Sequence, residues 1–369
     1  MHGELATQAG TAILFGALVV SLTILLNART IGEALQVMDH PDTVRKKHAQ
    51  VTPLVGGLAI MVPMVLWAAA SLLWNSGIDV RLLDVVLLCG AGATLIGYAD
   101  DQTPTSPSSR LLSLFLLSGI AMVIDPELIP TQLNWGNFEP TAIPQWFAAA
   151  FVVVAMAGYV NAVNWADGQN GIVTGMFAIW AACLIIVTGD GTASIAGAMF
   201  ETVVVTFLFN MAGRVFLGDA GTYGVAFVFG ILAIRAHNHW GVSAETIAVW
   251  FFIPITDSLR LIVWRALQGQ APSDADSDHF HHRLQQRIGK TAGLCTYLGV
   301  VGASSLIASL VPHLALVCMV VLAAFYFSFA WLTEVDEKAD AAAGGAPAQS
   351  ETKVRPRVVA GKDASAGRE

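Results

Sequence analysis

The chain has few charged residues. Only 12% of its 369 residues are Asp, Glu, Lys or Arg, whereas 55% are hydrophobic and the mean hydropathy is +0.63. This leaves too little polar surface to cover a water-soluble globule of this size. The composition therefore excludes a soluble fold and places the chain in a lipid bilayer, with membrane lipids as its surroundings and no nucleic-acid partner.

The sequence also shows no closely spaced cysteine pair and no evident cleavable leader. The four cysteines lie in apolar runs and form no CxxC pair, which excludes a thiolate metal site and a disulfide framework. They are Cys89, Cys183, Cys295 and Cys318. Apolar runs recur along nearly the whole chain, so they indicate membrane spans and not one signal peptide before a soluble domain.

The apolar runs predict an all-α polytopic membrane protein with about eleven transmembrane helices, because each run approaches the ~20 residues that cross a bilayer. The predicted spans are residues 10–27, 54–74, 82–99, 111–124, 143–163, 172–188, 193–209, 220–235, 245–265, 291–311 and 313–333. We take residues 1–333 as the membrane domain. Residues 334–369 lose their apolar side chains and are predicted to form a disordered tail.

The basic residues predict the orientation of these spans. Of the 19 Lys and Arg residues, only Arg81 and Arg235 fall on the side that holds the N-terminus. Because basic residues concentrate in cytoplasmic loops, the N-terminus is expected outside and the C-terminal tail in the cytoplasm. The loops after spans one, three, five, seven and nine then share the cytoplasmic face.

The loop after the third span begins with two adjacent carboxylates, Asp100 and Asp101. Such a pair at a membrane surface suits a hard cation with oxygen ligands, or proton transfer. The alternative is a helix end that merely turns polar as it leaves the lipid. Acidic residues are unfavourable at the C-terminal end of a helix dipole, so a nearby positive group is expected.

Three polar residues follow the fifth span at steps of three. Asn161, Asn164 and Asp167 share one helical face, and Gly168 and Gly171 then allow a tight turn. Amides and a carboxylate in this arrangement can bind a base or a ribose. The alternative is a hydrogen-bonded helix junction.

The loop after span seven carries Asn210 and then Asp219, which glycines flank at the start of another apolar helix. Backbone N–H groups at a helix N-terminus favour phosphate, and a carboxylate beside them can hold Mg²⁺. The alternative is that Asp219 is simply the N-cap of that helix, a role compatible with the first.

The longest cytoplasmic loop carries a histidine-rich segment after three aspartates. The aspartates are Asp274, Asp276 and Asp278, and the segment contains His279, His281, His282 and Arg283. A zinc site is not favoured, because the segment lacks a His-x-x-x-His spacing and a cysteine. Imidazoles and a guanidinium that bind a pyrophosphate or a sugar are one interpretation, and a plain basic loop is the other.

The first cytoplasmic loop has a basic cluster that includes Lys47 and His48, followed by the segment Pro53–Gly57. The cluster would attract a lipid phosphate, or it serves only as an orientation signal. Glu201 and Asp257 lie within predicted spans, where carboxylates are costly. They motivate a rival class, a membrane carrier, although carriers place polar groups near the midplane.

Taken in order, these five segments resemble the polyprenyl-phosphate N-acetylhexosamine-1-phosphate transferase family, which is glycosyltransferase family 4. The matching segments are Pro53–Gly57, Asp100–Asp101, Asn161–Gly171, Asn210 with Phe216–Gly221, and His279–Arg283. The resemblance extends over nearly everything before the tail. Its histidine segment is more similar to the branch that initiates surface glycans than to the peptidoglycan branch.

The resemblance implies a cytoplasmic active-site cleft in a bacterial inner-membrane enzyme, with UDP-N-acetylhexosamine and undecaprenyl phosphate as substrates. Mg²⁺, or Mn²⁺ in its place, would bind Asp219, and Asp100, Asp101 and Asp167 would be the other catalytic carboxylates. Asp100 and Asp101 would serve as a base or would position the metal or the lipid phosphate. The implied substrate-binding residues are Lys47, His48, Asn161, Asn164, Asn210, His279, His281, His282 and Arg283.

The chain departs from the family pattern at three places. Gln169 stands where a leucine is usual, and Thr222 stands where a serine is common. The segment after the aspartate pair begins with Gln102, where a basic residue is frequent. None of these departures removes a catalytic group.

Overall fold

The computed structural model describes residues 2–41, 50–74, 76–269 and 279–342. These residues are almost entirely helical. The helices are α1 (His2–Leu26), α2 (Ala28–Leu35), α3 (Gly56–Leu73), α4 (Val80–Asp84), α5 (Ala91–Gln102), α6 (Pro107–Ile124), α7 (Gln145–Ala166), α8 (Ile172–Val187), α9 (Asp190–Met211), α10 (Gly218–Trp240), α11 (Ala244–Leu267), α12 (Phe280–Ile288), α13 (Lys290–Leu310) and α14 (Ala315–Ala342).

The extended structure within the described ranges consists of two short antiparallel ladders. Strand β1 (Met38–Asp39) pairs with β2 (Thr52–Pro53), and β3 (Gln132–Leu133) pairs with β4 (Thr141–Ala142). A π-helical segment, Val85–Gly90, joins α4 to α5, so that both form one apolar span.

In the described ranges, nine helices are long and apolar enough to cross a membrane. The α1–α2 pair adds a tenth if it is counted as one span bent by 75°. The 16-residue apolar helix α8 occupies the place of the sixth predicted span. Each of the eleven predicted spans therefore corresponds to a helix, and the prediction of an all-α polytopic membrane protein is confirmed.

Helix α10 lies at the centre of the bundle. Its apolar window is 94% buried, whereas those of α6 and α14 are only 22% and 28% buried. Small residues on α10 and its neighbours make this close packing feasible. A side chain at Gly57 would overlap the backbone of Gly221, and one at Gly97 would overlap the backbone of Asp219. Helices α3 and α5 can therefore approach the start of α10 at backbone distance.

The last helix extends past the predicted membrane domain. Helix α14 continues to Ala342, so at least the first residues after position 333 are helical. The rest of the predicted tail, residues 343–369, lies outside the described residues. The same holds for Lys47 and His48 in the first loop and for Asp274, Asp276 and Asp278.

Candidate active site

The site is built around the first turn of α10. The backbone N–H groups of Asp219 and Ala220 donate to the two carboxylate oxygens of Asp101, at 2.8 and 2.9 Å. Asp101 therefore caps α10 from the end of α5, where its own helix dipole is unfavourable and that of α10 is favourable. The N–H groups that the sequence suggested for phosphate are bonded to Asp101.

Two of the sequence motifs form a backbone ladder beside this turn. Phe216 N–H donates to the Pro53 carbonyl at 3.0 Å, and the Gly56 N–H donates to the Phe216 carbonyl at 2.9 Å. Gly57 N–H donates to the Leu217 carbonyl at 2.8 Å. The segment Pro53–Gly57 thus fixes the entry of the chain into α10, and with it the position of Asp219.

Asp219 is held from helix α7. The Asn164 amide donates to Asp219 Oδ1 at 2.7 Å and to Thr222 Oγ1 at 2.9 Å. The carboxyl of Asp219 also lies within hydrogen-bonding range of the Asp100 carboxyl. Asn164 therefore orients the predicted metal ligand directly, and the common serine is replaced by a threonine whose hydroxyl makes this bond.

Asp100 has a cationic partner that sequence reasoning did not select. Arg110 Nη1 lies 2.5 Å from Asp100 Oδ2, and Thr105 donates to Asp100 Oδ1 from both its N–H and its hydroxyl at 2.6 Å. The Arg110 Nε is buried without a partner among the described residues. The sequence did contain a signal for this partner. An arginine one turn inside an apolar helix is energetically costly unless a carboxylate pairs with it.

Asp167 differs from the other three predicted catalytic carboxylates in its hydrogen bonds. It follows the last residue of α7, and none of the described residues donates a hydrogen bond to it. Burial, and then the negative charge of Asp101, raise the pKa of Asp167 to about 7. Asp167 is therefore suited to exchange a proton near neutral pH.

Together Asp100, Asp101, Asp167 and Asp219 form what we call the carboxylate site. The guanidinium that contacts it within the described part of the chain is that of Arg110. Carboxylates gathered at one helix turn repel one another, and a cation among them would relieve this repulsion. The donor set is entirely oxygen, which fits Mg²⁺ or Mn²⁺.

No group of three or more His, Cys, Asp and Glu side chains in the described ranges is arranged to hold a metal ion by itself. This agrees with the usual binding of Mg²⁺, which takes one or two carboxylates and completes its shell with water and substrate phosphates. The residues present therefore fit a metal that binds together with a phosphorylated substrate.

Two of the predicted substrate-binding amides make structural bonds in this structure. Asn210 is buried, accepts from the Gly171 N–H at 2.7 Å and donates to the Val215 carbonyl at 2.9 Å. Asn161 donates to the Ala157 carbonyl of its own helix at 2.8 Å. Asn210 thus ties the turn after α7 to the loop before α10, and substrate contact by either amide stays a prediction.

The histidine segment packs on the turn that carries Asp167. A Cβ atom at Gly168 would overlap the His281 ring and lie 3.4 Å from His282 Nε2, so the two imidazoles contact this glycine. Burial, followed by the nearby imidazoles of His282 and His279, lowers the pKa of His281 well below its usual value. His281 is therefore neutral at pH 7, and its buried Nε2 has no partner among the described residues.

The other two members of the segment point to different helices. His279 Nδ1 lies 2.8 Å from Asp257 Oδ2 on α11, and Arg283 Nη1 donates to the Ala330 carbonyl on α14 at 3.0 Å. These bonds fasten α12 to the bundle. The structure therefore brings His281 and His282 to the Asp167 turn, while substrate contact by His279 and Arg283 stays a prediction.

The residue Gln169, where the family usually has leucine, also has a defined place. Its amide donates to the Lys290 carbonyl at the start of α13, at 3.2 Å. The turn after α7 is thereby bonded to the helix that follows the histidine segment. The Gln169 amide nitrogen thus makes a structural bond between the turn after α7 and the start of α13.

Comparison with known proteins shows which family and which relatives the chain is similar to. A model of the family described as Glycosyl transferase family 4 matches residues 83–237, which include Asp100, Asp101, Asp167 and Asp219. The chain is also 27% identical over 327 residues to the undecaprenyl-phosphate alpha-N-acetylglucosaminyl 1-phosphate transferase of Escherichia coli K12. That alignment covers 82% of this chain and 85% of the relative.

Two other relatives show the same level of similarity. The enzyme of the same name from Yersinia pestis is 28% identical over 307 residues, covering 76% of this chain and 81% of the relative. The probable undecaprenyl-phosphate N-acetylglucosaminyl 1-phosphate transferase of Bacillus subtilis 168 is 26% identical, covering 73% and 76%. The resemblance indicated by the motifs is confirmed: the chain is similar to glycosyl transferase family 4 and to undecaprenyl-phosphate N-acetylglucosaminyl 1-phosphate transferases.

Proposed function

We propose that this chain, a relative of glycosyl transferase family 4, transfers N-acetylglucosamine 1-phosphate or a related N-acetylhexosamine 1-phosphate from a UDP-sugar to undecaprenyl phosphate. The products are undecaprenyl diphosphate sugar and UMP. The reaction begins the assembly of a cell-surface glycan at the cytoplasmic face of the bacterial inner membrane, with the N-terminus outside and the C-terminus inside. The carboxylate site at the first turn of α10 is the observation that carries the proposal.

The transfer is a substitution at phosphorus. An oxygen of the undecaprenyl phosphate attacks the β-phosphorus of the UDP-sugar and forms a new P–O bond. The bond from that phosphorus to the oxygen that bridges it to the α-phosphorus breaks, and UMP leaves with the electron pair. The acceptor phosphate, whose second pKa is ~6, is largely ionised at neutral pH and needs little help from a base.

The protein contributes mainly position and charge. Asn164 holds Asp219 Oδ1 and so orients the carboxylate that would hold Mg²⁺, or Mn²⁺ in its place. A divalent ion there would neutralise the diphosphate and the charge that develops on the leaving UMP. Arg110 is paired with Asp100 and offsets part of the negative charge that a phosphorylated substrate meets.

The two adjacent aspartates have separate roles in this proposal. Both oxygens of Asp101 are bonded to backbone N–H groups, so Asp101 positions α10 and is not the proton acceptor. Asp167 has no donor among the described residues and a pKa of about 7, so it accepts the proton from acceptor phosphate that is still protonated.

We assign donor recognition to the turn after α7 and to the imidazoles that face it. His281 and His282 contact Gly168 beside Asp167, and Asn164 and Asn161 lie about one and two turns earlier on α7. A neutral His281 can donate to or accept from a uracil or a sugar hydroxyl without requiring a charge. Lys47 and His48 would bind the acceptor phosphate.

The test is UMP release by purified, detergent-solubilised protein given UDP-GlcNAc and undecaprenyl phosphate, with and without Mg²⁺. We expect Mg²⁺-dependent release that falls by about a thousandfold in Asp219→Asn. Asp79→Asn, at the far end of the bundle, is the matched control and should retain the wild-type rate. Competition between UDP-GlcNAc and UDP-GalNAc then identifies the sugar. Absence of UMP with every UDP-N-acetylhexosamine would refute the proposal.

A further inference from the structure

A second buried carboxylate, Asp257 on α11, lies behind the histidine segment and accepts hydrogen bonds from four groups. They are His279 Nδ1 at 2.8 Å, the Tyr326 hydroxyl at 2.7 Å, the Phe280 N–H at 3.2 Å and Arg260 Nη2 at 3.4 Å. An ionised carboxylate has about four lone-pair sites. Asp257 is therefore saturated by the protein and has no acceptor capacity left for a substrate or a transported ion.

These bonds join three helices at one point. Asp257 belongs to α11, Phe280 is the first residue of α12, and Tyr326 belongs to α14. His279, the N-cap residue of α12, makes no capping bond with its own side chain, and Asp257 supplies the missing acceptor from another helix. A carboxylate buried at this depth is stable only because these donors compensate for its lost hydration.

The same bonds orient the imidazoles. Because a carboxylate only accepts, His279 Nδ1 must carry the proton, and this places Nε2 on the opposite side of the ring. The His279 ring stacks on His281 with centroids 5.7 Å apart and planes 11° apart. His281 in turn contacts Gly168. A continuous series of contacts thus connects Asp257 to the turn that carries Asp167.

Aromatic packing supports the position of α12 independently of the polar bonds. Phe280 is buried against Tyr326, with ring centroids 4.8 Å apart, and also contacts Phe325 and Phe329. Replacement of the Tyr326 hydroxyl by hydrogen leaves these ring contacts in place. It removes the bond to Asp257 and the bond that the hydroxyl accepts from Arg260 Nε at 2.8 Å.

We propose that Asp257, clamped by Tyr326 and Arg260, is a positioning residue that sets the orientation of the histidine helix α12 against the Asp167 turn and thereby the affinity for the nucleotide-sugar donor. This inference rests on the proposed function, in which His281 and His282 meet the donor. Asp257 acts through His279 and α12 and does not touch the reacting atoms. In the proposed function Lys47 and His48 bind the acceptor phosphate, so the clamp is expected to leave the affinity for the acceptor unchanged.

The decisive variant is Tyr326→Phe, because it keeps the packing of α12 and removes only the hydroxyl. Its matched control is Tyr159→Phe, since the Tyr159 hydroxyl is equally buried but has no hydrogen-bond partner among the described residues. We expect the KM for UDP-GlcNAc to rise about tenfold in Tyr326→Phe, as for loss of a bond to a charged group. The KM for undecaprenyl phosphate should stay unchanged, and Tyr159→Phe should change neither value.

Asp257→Asn provides a stronger perturbation, because an amide nitrogen facing the protonated Nδ1 of His279 cannot accept its hydrogen. We expect a larger rise in the donor KM than in Tyr326→Phe, again with little change in the acceptor KM. If both KM values rise equally, or if neither changes in Tyr326→Phe, the positioning role is overturned.

Backbone amide hydrogen exchange separates this inference from the proposed function, because it requires no catalysis. The clamp predicts faster exchange across residues 280–288 in Tyr326→Phe than in Tyr159→Phe or the wild type. Faster exchange in a protein that releases no UMP would support the clamp and overturn the proposed function. An active wild type whose residues 280–288 exchange equally in all three proteins would overturn the clamp alone.

Discussion

Helix α10 has polar residues at both ends, and the two ends treat their charges differently. Near its start lies the carboxylate site with Asp219, and near its end lies Arg235, about 24 Å away at 1.5 Å per residue. Arg235 is buried between Asp79 and Asp125, with the second contact at 2.7 Å. Both ends contain carboxylates and an arginine. Among the described residues, the carboxylates that contact Arg235 have donors, whereas Asp167 at the carboxylate site has none.

At the Arg235 end, the carboxylates of the network around Arg235 have donors. Asp79 accepts from the Arg81 N–H and from Arg235, and Asp125 accepts from Arg235 and the Glu127 N–H. Glu127 is paired with His239 at 2.8 Å. A network satisfied in this way needs no ligand, and its role is to hold spans together. In the carboxylate site, by contrast, Asp167 has no donor among the described residues. A carboxylate without a donor is typical of a site that a ligand completes.

The largest expected effect is that of Asp167→Asn on catalysis. We expect kcat/KM to fall by about a hundredfold or more, and the wild-type rise in kcat/KM through pH 7 to disappear, because the group with pKa of about 7 is gone. UMP release measured from pH 5.5 to 8.5 checks this. An Asn variant that keeps the same pH profile would contradict the assignment of the proton acceptor to Asp167.

The same substitution should stabilise the fold at neutral pH. A carboxyl whose folded pKa is raised to about 7 from 3.8 binds its proton more tightly in the folded state, so wild-type stability falls as the pH rises between these values. The Tm of Asp167→Asn should equal the wild-type Tm near pH 4 and exceed it at pH 8.

Asp79→Asn should change the Tm in the opposite direction from Asp167→Asn, and this sharpens the comparison between the two ends of α10. Although burial opposes it, the hydrogen bond from Arg235 lowers the pKa of Asp79 below 3.8. The wild-type carboxylate therefore contributes stability that is present above that pH and is lost as the pH falls through the lowered pKa. The Tm of Asp79→Asn should lie below the wild-type Tm at pH 8, and the difference should vanish in acid.

The next effect separates the two arginines. Arg110→Gln removes the cation beside Asp100 and Asp219, and we expect about a thirtyfold loss in kcat/KM with a small change in Tm. Arg235→Gln leaves the fully buried Asp125 without its guanidinium, and we expect a loss of about 3–5 kcal/mol in stability, while the folded protein keeps its kcat. Activity and thermal unfolding measured on both variants check the contrast. If Arg110→Gln lost only stability and kept its kcat/KM, the two arginines would not differ in role and the contrast would be contradicted.

Much of the fold could be predicted from the sequence because its signals are long and repeated. Apolar runs of bilayer length predicted a helix for each of the eleven spans, and the step of three from Asn161 to Asn164 correctly placed both on α7. The bend of 75° between α1 and α2 coincides with the end of the predicted first span at residue 27, but neither α2 nor its direction was predicted. Sequence periodicity reports which residues are helical and apolar, but not where helices bend.

The site could be predicted only in part, because residue type does not reveal the partner. The motif loops indicated Asp100, Asp101, Asp167 and Asp219, and the structure brings them together. Arg110 was missed because it lies one residue before the predicted span 111–124, where it counted only as one of the basic residues that predict orientation. The bonding of Asp101 to the start of α10 and of Asn210 to the Gly171 N–H depends on tertiary contacts between distant segments. Such contacts leave no local pattern.

The smallest expected effect tests how rigidly α10 is held at its site end. A Cβ at Gly97 would overlap the backbone of Asp219, whereas a Cβ at Gly230, farther along α10, would meet the flexible end of the Met156 side chain. Backbone cannot yield without moving the carboxylate, but a methionine can change rotamer. We therefore expect Gly97→Ala to lower kcat about tenfold and Gly230→Ala to leave it unchanged, as measured by UMP release at saturating substrates. Equal kcat values in the two variants would mean that the site end of α10 tolerates displacement as readily as the rest of the helix, and that the position of Asp219 is not set by the packing of α5 on α10.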